Sequence, residues 1–206
     1  MQPSQEQQTG RVDQRRRTRR RILRAAVHLL RSDEPLTLET AAQQAEVSRA
    51  TVYRYFETAD VLRLEAALTD ILDSGPVAEI RTLCQETTNH ADRVEAVVRC
   101  MAGWAWDTQT SLRITLRLAL EGGYQRPGNR DNWIALALAP AEPQLGPAIT
   151  EQLRRALYPL FGLDPILSLG DLLELNRQQT LDTLAYTARA LVNQAFTQST
   201  VHDGQT

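Results

Sequence analysis

The apolar residues recur at intervals of three and four along most of the chain. Within residues 17–30 the set Ile22, Leu23, Ala26, Leu29 and Leu30 has helical spacing. Asp33-Glu34-Pro35 then ends that helix. Thr37 reads as an N-cap, residues 40–44 continue helically, and Glu46-Val47 forms a turn. Ser48 is suited to cap a further helix running to Tyr55. After a second turn at Phe56-Glu57-Thr58, Thr58 caps a helix that carries Val61, Leu62, Leu64 and Leu68 and ends at Ser74-Gly75-Pro76.

The rest of the chain is also helical in pattern. Helices are expected over 77–86, over 92–108, where Val94, Val97, Val98, Met101, Trp104 and Ala105 repeat at three and four, and over 112–120 after a pause at Gln109-Thr110-Ser111. Gly122-Gly123 and Pro127-Gly128 mark a loop. A short apolar helix over 132–138 follows. Pro140, Pro143 and Pro147 punctuate the way into a helix over 149–161. Gly162 and Pro165 separate that helix from one over 166–196, bent near Gly170. Residues 1–14 are polar and expected to be disordered, and residues 197–206 to fray. No alternating pattern of useful strand length and no internal repeat is visible. The fold class expected is all-α.

One stretch of this pattern carries chemistry. From Thr37 to Phe56 a short helix, a tight turn and a second short helix expose a polar and aromatic outer face, an arrangement suited to placing a helix in the DNA major groove. The charge distribution agrees. Net charge is only −2, but residues 1–65 hold 12 Arg against 9 acidic residues, and residues 66–206 hold 11 against 16. Residues 11–24 hold eight Arg and one Asp. A basic end on an acidic body fits a local nucleic-acid footprint. All 23 basic residues are Arg, which base composition of the genome explains as readily as function, although Arg does supply bidentate forks to phosphate and guanine.

Individual roles follow from residue type. Ser48 caps the second helix, whose N-terminal amides favour a phosphate. Arg49 and Arg54 can reach guanine or phosphate, and would otherwise be solvated surface charges. Thr51 offers a methyl and a hydroxyl to a thymine edge or a phosphate. Tyr53 and Tyr55 present hydroxyl-bearing rings, with packing an equal alternative for Tyr55. Val47, Val52 and Phe56 read as core. Arg15, Arg16, Arg17, Arg19, Arg20 and Arg21 cannot share one helix face, so some are expected to settle on phosphates or in the minor groove; otherwise the segment is a solubilising tail.

Residues 20–62 resemble the DNA-binding domain of the TetR family of bacterial transcription regulators. The resemblance rests on Ile22, Leu23, Ala25, Ala26, Leu29 and Leu30 in the first helix, on Thr37, Ala41, Ala42 and Ala45 in the second, on the run Val47-Ser48-Arg49-Ala50-Thr51-Val52-Tyr53-Arg54-Tyr55-Phe56, and on Leu62. It covers about a fifth of the chain. It implies DNA contacts at Arg17, Thr37, Ser48, Arg49, Thr51, Tyr53, Arg54 and Tyr55, with Tyr53 on backbone phosphate. Two residues depart from the family pattern. Glu46 stands where a turn Gly is usual, at a cost on the order of 1 kcal/mol if its backbone is left-handed. Ala59 stands where a phosphate-binding Lys usually opens the fourth helix. Arg54, Arg63 or the basic arm are candidates to compensate.

The resemblance also implies an organisation: a flexible basic arm over 1–16, a three-helix DNA-binding domain over 17–64, and a helical ligand-binding and dimerisation domain over 65–206. The expected partners are double-stranded operator DNA, a small organic effector and a second copy of the chain, held through the last two long helices. Those helices carry the apolar stripes Leu153, Ala156, Leu157, Leu160, Phe161 and Leu169, Leu172, Leu173, Leu181, Leu184, Ala185, Ala188, Leu191, Val192, Ala195, which a monomer core would explain equally well. Met101, Trp104, Arg113, Leu116, Arg117, Leu120, Tyr124 and Trp133 are the candidate effector-binding residues, with core or surface positions as the competing reading. Arg113, Arg117 and Glu121, spaced by four, could orient a ligand or pair with one another.

Other function classes find little footing. His28, His90 and His202 are scattered, and no metal-ligand spacing, nucleophile elbow or phosphate loop occurs, so no enzyme, metal or cofactor is expected. Cys84 and Cys100 sit in apolar helical patterns and read as reduced, near-core thiols of a cytoplasmic protein. The N-terminus lacks the apolar run of a secretory signal, and no apolar stretch approaches about 18 residues, so no membrane span is expected. The alternative to a transcription regulator, most simply a repressor released by its effector, is a helical dimeric adaptor that has lost specific DNA binding.

Overall fold

The computed structural model describes residues 5–122 and 130–203, with side chains described over 12–122 and 130–200. Every regular element among them is helical: α1 (Gln5–Arg31), α2 (Leu38–Gln44), α3 (Arg49–Tyr55), α4 (Ala59–Ser74), α5 (Val77–Glu86), α6 (His90–Asp107), α7 (Gln109–Leu120), α8 (Arg130–Leu138), α9 (Glu142–Leu157) and α10 (Arg177–Asp203), with a 3-10 turn over Tyr158–Leu160 and a π-helical segment over Ile166–Leu172. The described residues fall into two compact units, 5–73 with 110–122 and 74–109 with 130–203. The boundary expected between residues 64 and 65 lies inside α4. Tyr124 and the loop expected over 123–128 lie outside the described residues.

The first unit is built on one apolar cluster. Ile22, Ala26 and Leu29 of α1, Ala41 and Ala42 of α2, Val52 of α3, Phe56, and Leu62, Ala66 and Ala67 of α4 are buried together, and Ile114 of α7 packs against them. A polar tie adds to this. Asp70 of α4, 1% exposed, accepts from Arg31 Nε at 2.8 Å and from Ser111 Oγ at 2.5 Å. That carboxylate therefore binds α1, α4 and α7 to one another, its oxygens hydrogen-bonded from two sides as a buried polar group requires.

Residues 1–16 are expected as a flexible arm; among the described residues α1 is continuous from Gln5. The segment is rich in Gln and Arg, which lose little rotamer freedom in a helix, so a helix anchored on the core at Ile22 can continue outward. Its far end turns in a Schellman closure: Glu34 N–H donates to Leu29 O at 3.0 Å while Asp33 takes a left-handed φ of 54°.

The second unit has its own core of Ile80, Val94, Val97, Val98, Met101, Ile134, Leu138, Leu153, Leu157, Phe161, Leu184, Ala188 and Val192. Here α10 packs against α6 and α9. Arg189 of α10 donates to Asp92 and Glu95 of α6, both at 2.5 Å, and Arg177 makes a two-pronged pair with Asp107. Arg93, only 6% exposed, donates to the carbonyl of Thr87, the residue that closes α5. Its guanidinium thus meets the negative end of α5, where a cation is favoured.

Three boundaries differ from expectation here. The single helix expected over 166–196 is two segments. Asn176 caps α10 by accepting from Gln179 N–H at 3.0 Å while its own N–H donates to the Gln179 amide at 3.0 Å, and Glu174 just before it has a φ of 55°. α9 opens at Glu142 but contains a break at Gly146, whose φ of 71° and ψ of 165° only glycine adopts without strain. α10 runs to Asp203 instead of fraying after 196. Where α9 gives way to the next segment, Gly162 has a φ of 83° and lies beside the Arg130 guanidinium, which a Cβ would displace.

Candidate nucleic-acid interface

The two short helices of the first unit are closed by local hydrogen bonds that their sequence encodes. Thr37 and Thr40 form a reciprocal capping box at the start of α2: Thr40 N–H donates to Thr37 Oγ1 at 3.1 Å and Thr37 N–H donates to Thr40 Oγ1 at 2.9 Å. α2 ends in a Schellman closure, with Val47 N–H on Ala42 O at 3.0 Å and Glu46 N–H on Gln43 O at 3.1 Å. Glu46 is the left-handed residue, at φ 51°. Ser48 then caps α3, accepting from Thr51 N–H at 3.2 Å, and its hydroxyl lies 2.8 Å from that of Thr51.

Burial sorts the α3 residues into two faces. Val52 and Phe56 are fully buried and Val47 packs against the same core. Ser48, Arg49, Tyr53 and Arg54 are exposed, Tyr53 by 51%, and Thr51 is partly so. Tyr55 is half-buried and packs on the core, with the Arg54 guanidinium 5.4 Å from its ring centre. α3 and its cap therefore turn two cations, two hydroxyls and a phenol outward from a fixed base.

The arginines of α1 divide in a similar way. Arg17, Arg20, Arg21 and Arg24 are exposed and recur at three and four, opposite the buried Ile22, Ala26 and Leu29. Arg21 reaches the turn between α2 and α3, 3.4 Å from the carbonyl of Glu46. Arg19 is different: it pairs with Glu65 of α4 and stacks over Phe56 at 5.4 Å, so it is a structural residue. Arg63 is committed too, donating to Leu36 O at 2.9 Å and Asp60 Oδ1 at 3.0 Å. Ala59 opens α4 and packs against the core.

A residue that the sequence reading passed over stands among these groups. The Tyr53 hydroxyl donates to Glu39 Oε1 of α2 at 2.8 Å. The bond holds the Glu39 carboxyl below its ordinary range, helped by its own backbone N–H, Thr37 and the charge of Arg49. The same bond pushes the Tyr53 phenol above its ordinary range, opposed by Arg49. Thr37 and Glu39, partly buried, thus lie near the exposed Arg49 and Tyr53. Fourteen residues separate Glu39 from Tyr53, and only the turn between α2 and α3 brings them together.

The candidate effector residues are not gathered in either unit. Arg113, Leu116, Arg117 and Leu120 belong to the first unit, and Met101, Trp104 and Trp133 to the second. Met101 is buried in the core, Trp104 donates from Nε1 to Ser74 Oγ at 3.1 Å, and Trp133 packs against the core. Arg117 lies 3.9 Å from Glu121 on the surface, and Leu120 is 79% exposed. Among the described residues no cluster of three or more His, Cys, Asp or Glu could hold a metal ion, and no helix is long and apolar enough to cross a membrane. Burial raises the thiols of Cys84 and Cys100, the latter to about 12, which leaves Cys100 a poor nucleophile.

The described chain is all-helical. No protein-family profile matches it. It is similar to the nucleoid occlusion factor SlmA of Marinomonas sp. (strain MWYL1), with 29% identity over 150 residues that cover 71% of this chain and 74% of that protein.

Proposed function

We propose that this protein is a sequence-specific DNA-binding transcription regulator of the TetR type, acting as a homodimer and most simply as a repressor released by a small organic effector. The observation that carries the reading is the outer face of α3: Arg49, Thr51 and Tyr53 project from a helix whose other side is anchored by Val52 and by Phe56 just beyond its end. A helix presented in this manner has the form of a groove reader, and the arginine stripe of α1 supplies the sequence-independent phosphate attraction such readers need. The similarity to a protein named for nucleoid occlusion supports a DNA-associated role.

In this reading Arg49 and Thr51 read base edges, Tyr53 and Arg54 take phosphates, and Arg17 tracks the backbone. Thr37 and Ser48 hold the two helices in position. The effector is assigned to the helices between α4 and α9, and dimerisation to α9 and α10. One observation favours the rival reading of a dimeric adaptor without specific DNA binding: a carboxylate, Glu39, stands among the groups that would meet phosphate. Selection of bound duplexes from a random pool separates the two. A regulator enriches a pseudo-palindromic sequence, and Arg49→Ala and Tyr53→Ala each weaken its binding by roughly tenfold or more. An unenriched pool, or variants that bind as the parent does, would reject the regulator.

A further inference from the structure

The cluster around Tyr53 contains its own competitor for DNA. Tyr53 offers one hydroxyl proton, and Glu39 Oε1 holds it at 2.8 Å. The charge of Arg49, at the start of the same helix as Tyr53, acts on both groups. A phosphate oxygen arriving at Tyr53 needs that proton, and its charge meets another anion at close range. Tyr53 and Arg49 are exposed and Glu39 is partly so, so the exchange is open to solvent and needs no change of fold.

Resting on the DNA-binding reading, we infer that Glu39 is an affinity-setting residue of the interface: its carboxylate occupies the phosphate position at Tyr53 and Arg49 in the free protein and weakens binding to all duplexes alike. The distinction from base reading is physical. A Glu can also accept from the amino group of cytosine, but that contact discriminates among sequences. A carboxylate that competes with phosphate taxes every sequence equally, because every duplex carries the same backbone. Binding then depends on contacts elsewhere, namely base edges at Arg49 and Thr51 and phosphates along α1.

The test uses the full-length chain and its Glu39→Gln variant, which keeps shape and removes charge. Each is titrated against the duplex selected by the parent and against a scrambled duplex, over a series of salt concentrations. The expected result is tighter binding of both duplexes by roughly three- to tenfold at low salt, with their ratio unchanged and a salt slope steeper by up to about 1. A difference titration of tyrosine absorbance between the two proteins supplies a readout independent of DNA: removing the charge lets the phenol titrate at lower pH. Unchanged or weaker binding of Glu39→Gln, or an effect confined to one duplex, overturns the inference while leaving the regulator intact. Tight binding by the variant where the parent binds poorly supports it. No binding by either protein rejects the regulator reading, and the inference with it; an unshifted tyrosine titration rejects the contact itself.

Discussion

At the scale of single residues, two backbone positions show how a helix can end without glycine. Asp33 and Glu46 both occupy the left-handed C′ position of a Schellman closure. The closure satisfies carbonyls that the last helical turn leaves open, and this offsets the steric cost of a Cβ at positive φ. Glu46 is the residue whose strain was legible from the resemblance, since a turn glycine was expected there. Its replacement, Glu46→Gly, should stabilise the protein by about 0.5–1 kcal/mol, the relieved strain exceeding the added freedom of the unfolded chain. Urea unfolding checks this: the midpoint should rise at constant slope, and a lower midpoint would contradict it. Glu39 is the contrasting case. Its place in the first turn of α2 favours an acidic residue by helix polarity alone, so nothing in local spacing pointed to Tyr53.

At the scale of elements, α1 has a double character. Its C-terminal half is anchored through Ile22, Ala26 and Leu29, and Arg31 reaches the buried Asp70. Its N-terminal part continues the helix beyond the core, with Val12 through Arg17 exposed. A cationic rod of this kind contributes phosphate attraction without base discrimination. Removing residues 1–16 should therefore weaken binding to all duplexes alike and flatten the salt dependence, by up to about 3 in slope for the loss of Arg11, Arg15 and Arg16. Filter binding or anisotropy across a salt series measures it, and an unchanged slope would refute it. Because the core begins further along, the truncated protein should keep its unfolding midpoint.

At the scale of the whole molecule, the apolar stripe of α10 is used within the chain. Leu181, Leu184, Ala185, Ala188, Val192 and Ala195 are buried against the second unit's own core or its surroundings. A second copy docking on α10 would meet the opposite face, where Thr183, Tyr186 and Ala190 are exposed, Tyr186 by 76%. A homodimer through α9 and α10 is thus expected to be sensitive at Tyr186 and Ala190 and not at the stripe. Sedimentation equilibrium should return twice the 23.1 kDa chain mass. The pair Tyr186→Arg and Ala190→Arg should return the single mass and lose tight binding to a two-half-site duplex, because one short reading helix binds weakly alone. A dimer unaffected by both changes would move the interface elsewhere.

Much of the helical order was decided by the sequence alone. Thr37, Ser48 and Thr58 each cap the helix they precede, and Val52 and Phe56 are buried as their spacing requires, because capping and helical periodicity act over three or four residues. The Asn176-x-x-Gln179 box was equally local and announced the start of α10, though the apolar repeat on either side concealed it. Tertiary structure decided what depends on distant partners. It set Glu39 against Tyr53, gave Arg19 and Arg63 partners within the fold, tied α7 to α1 and α4 through Asp70, and turned the α10 stripe inward. In each case the side chain's type allowed several roles, and the choice among them rested on which groups packing brought within hydrogen-bond or van der Waals reach.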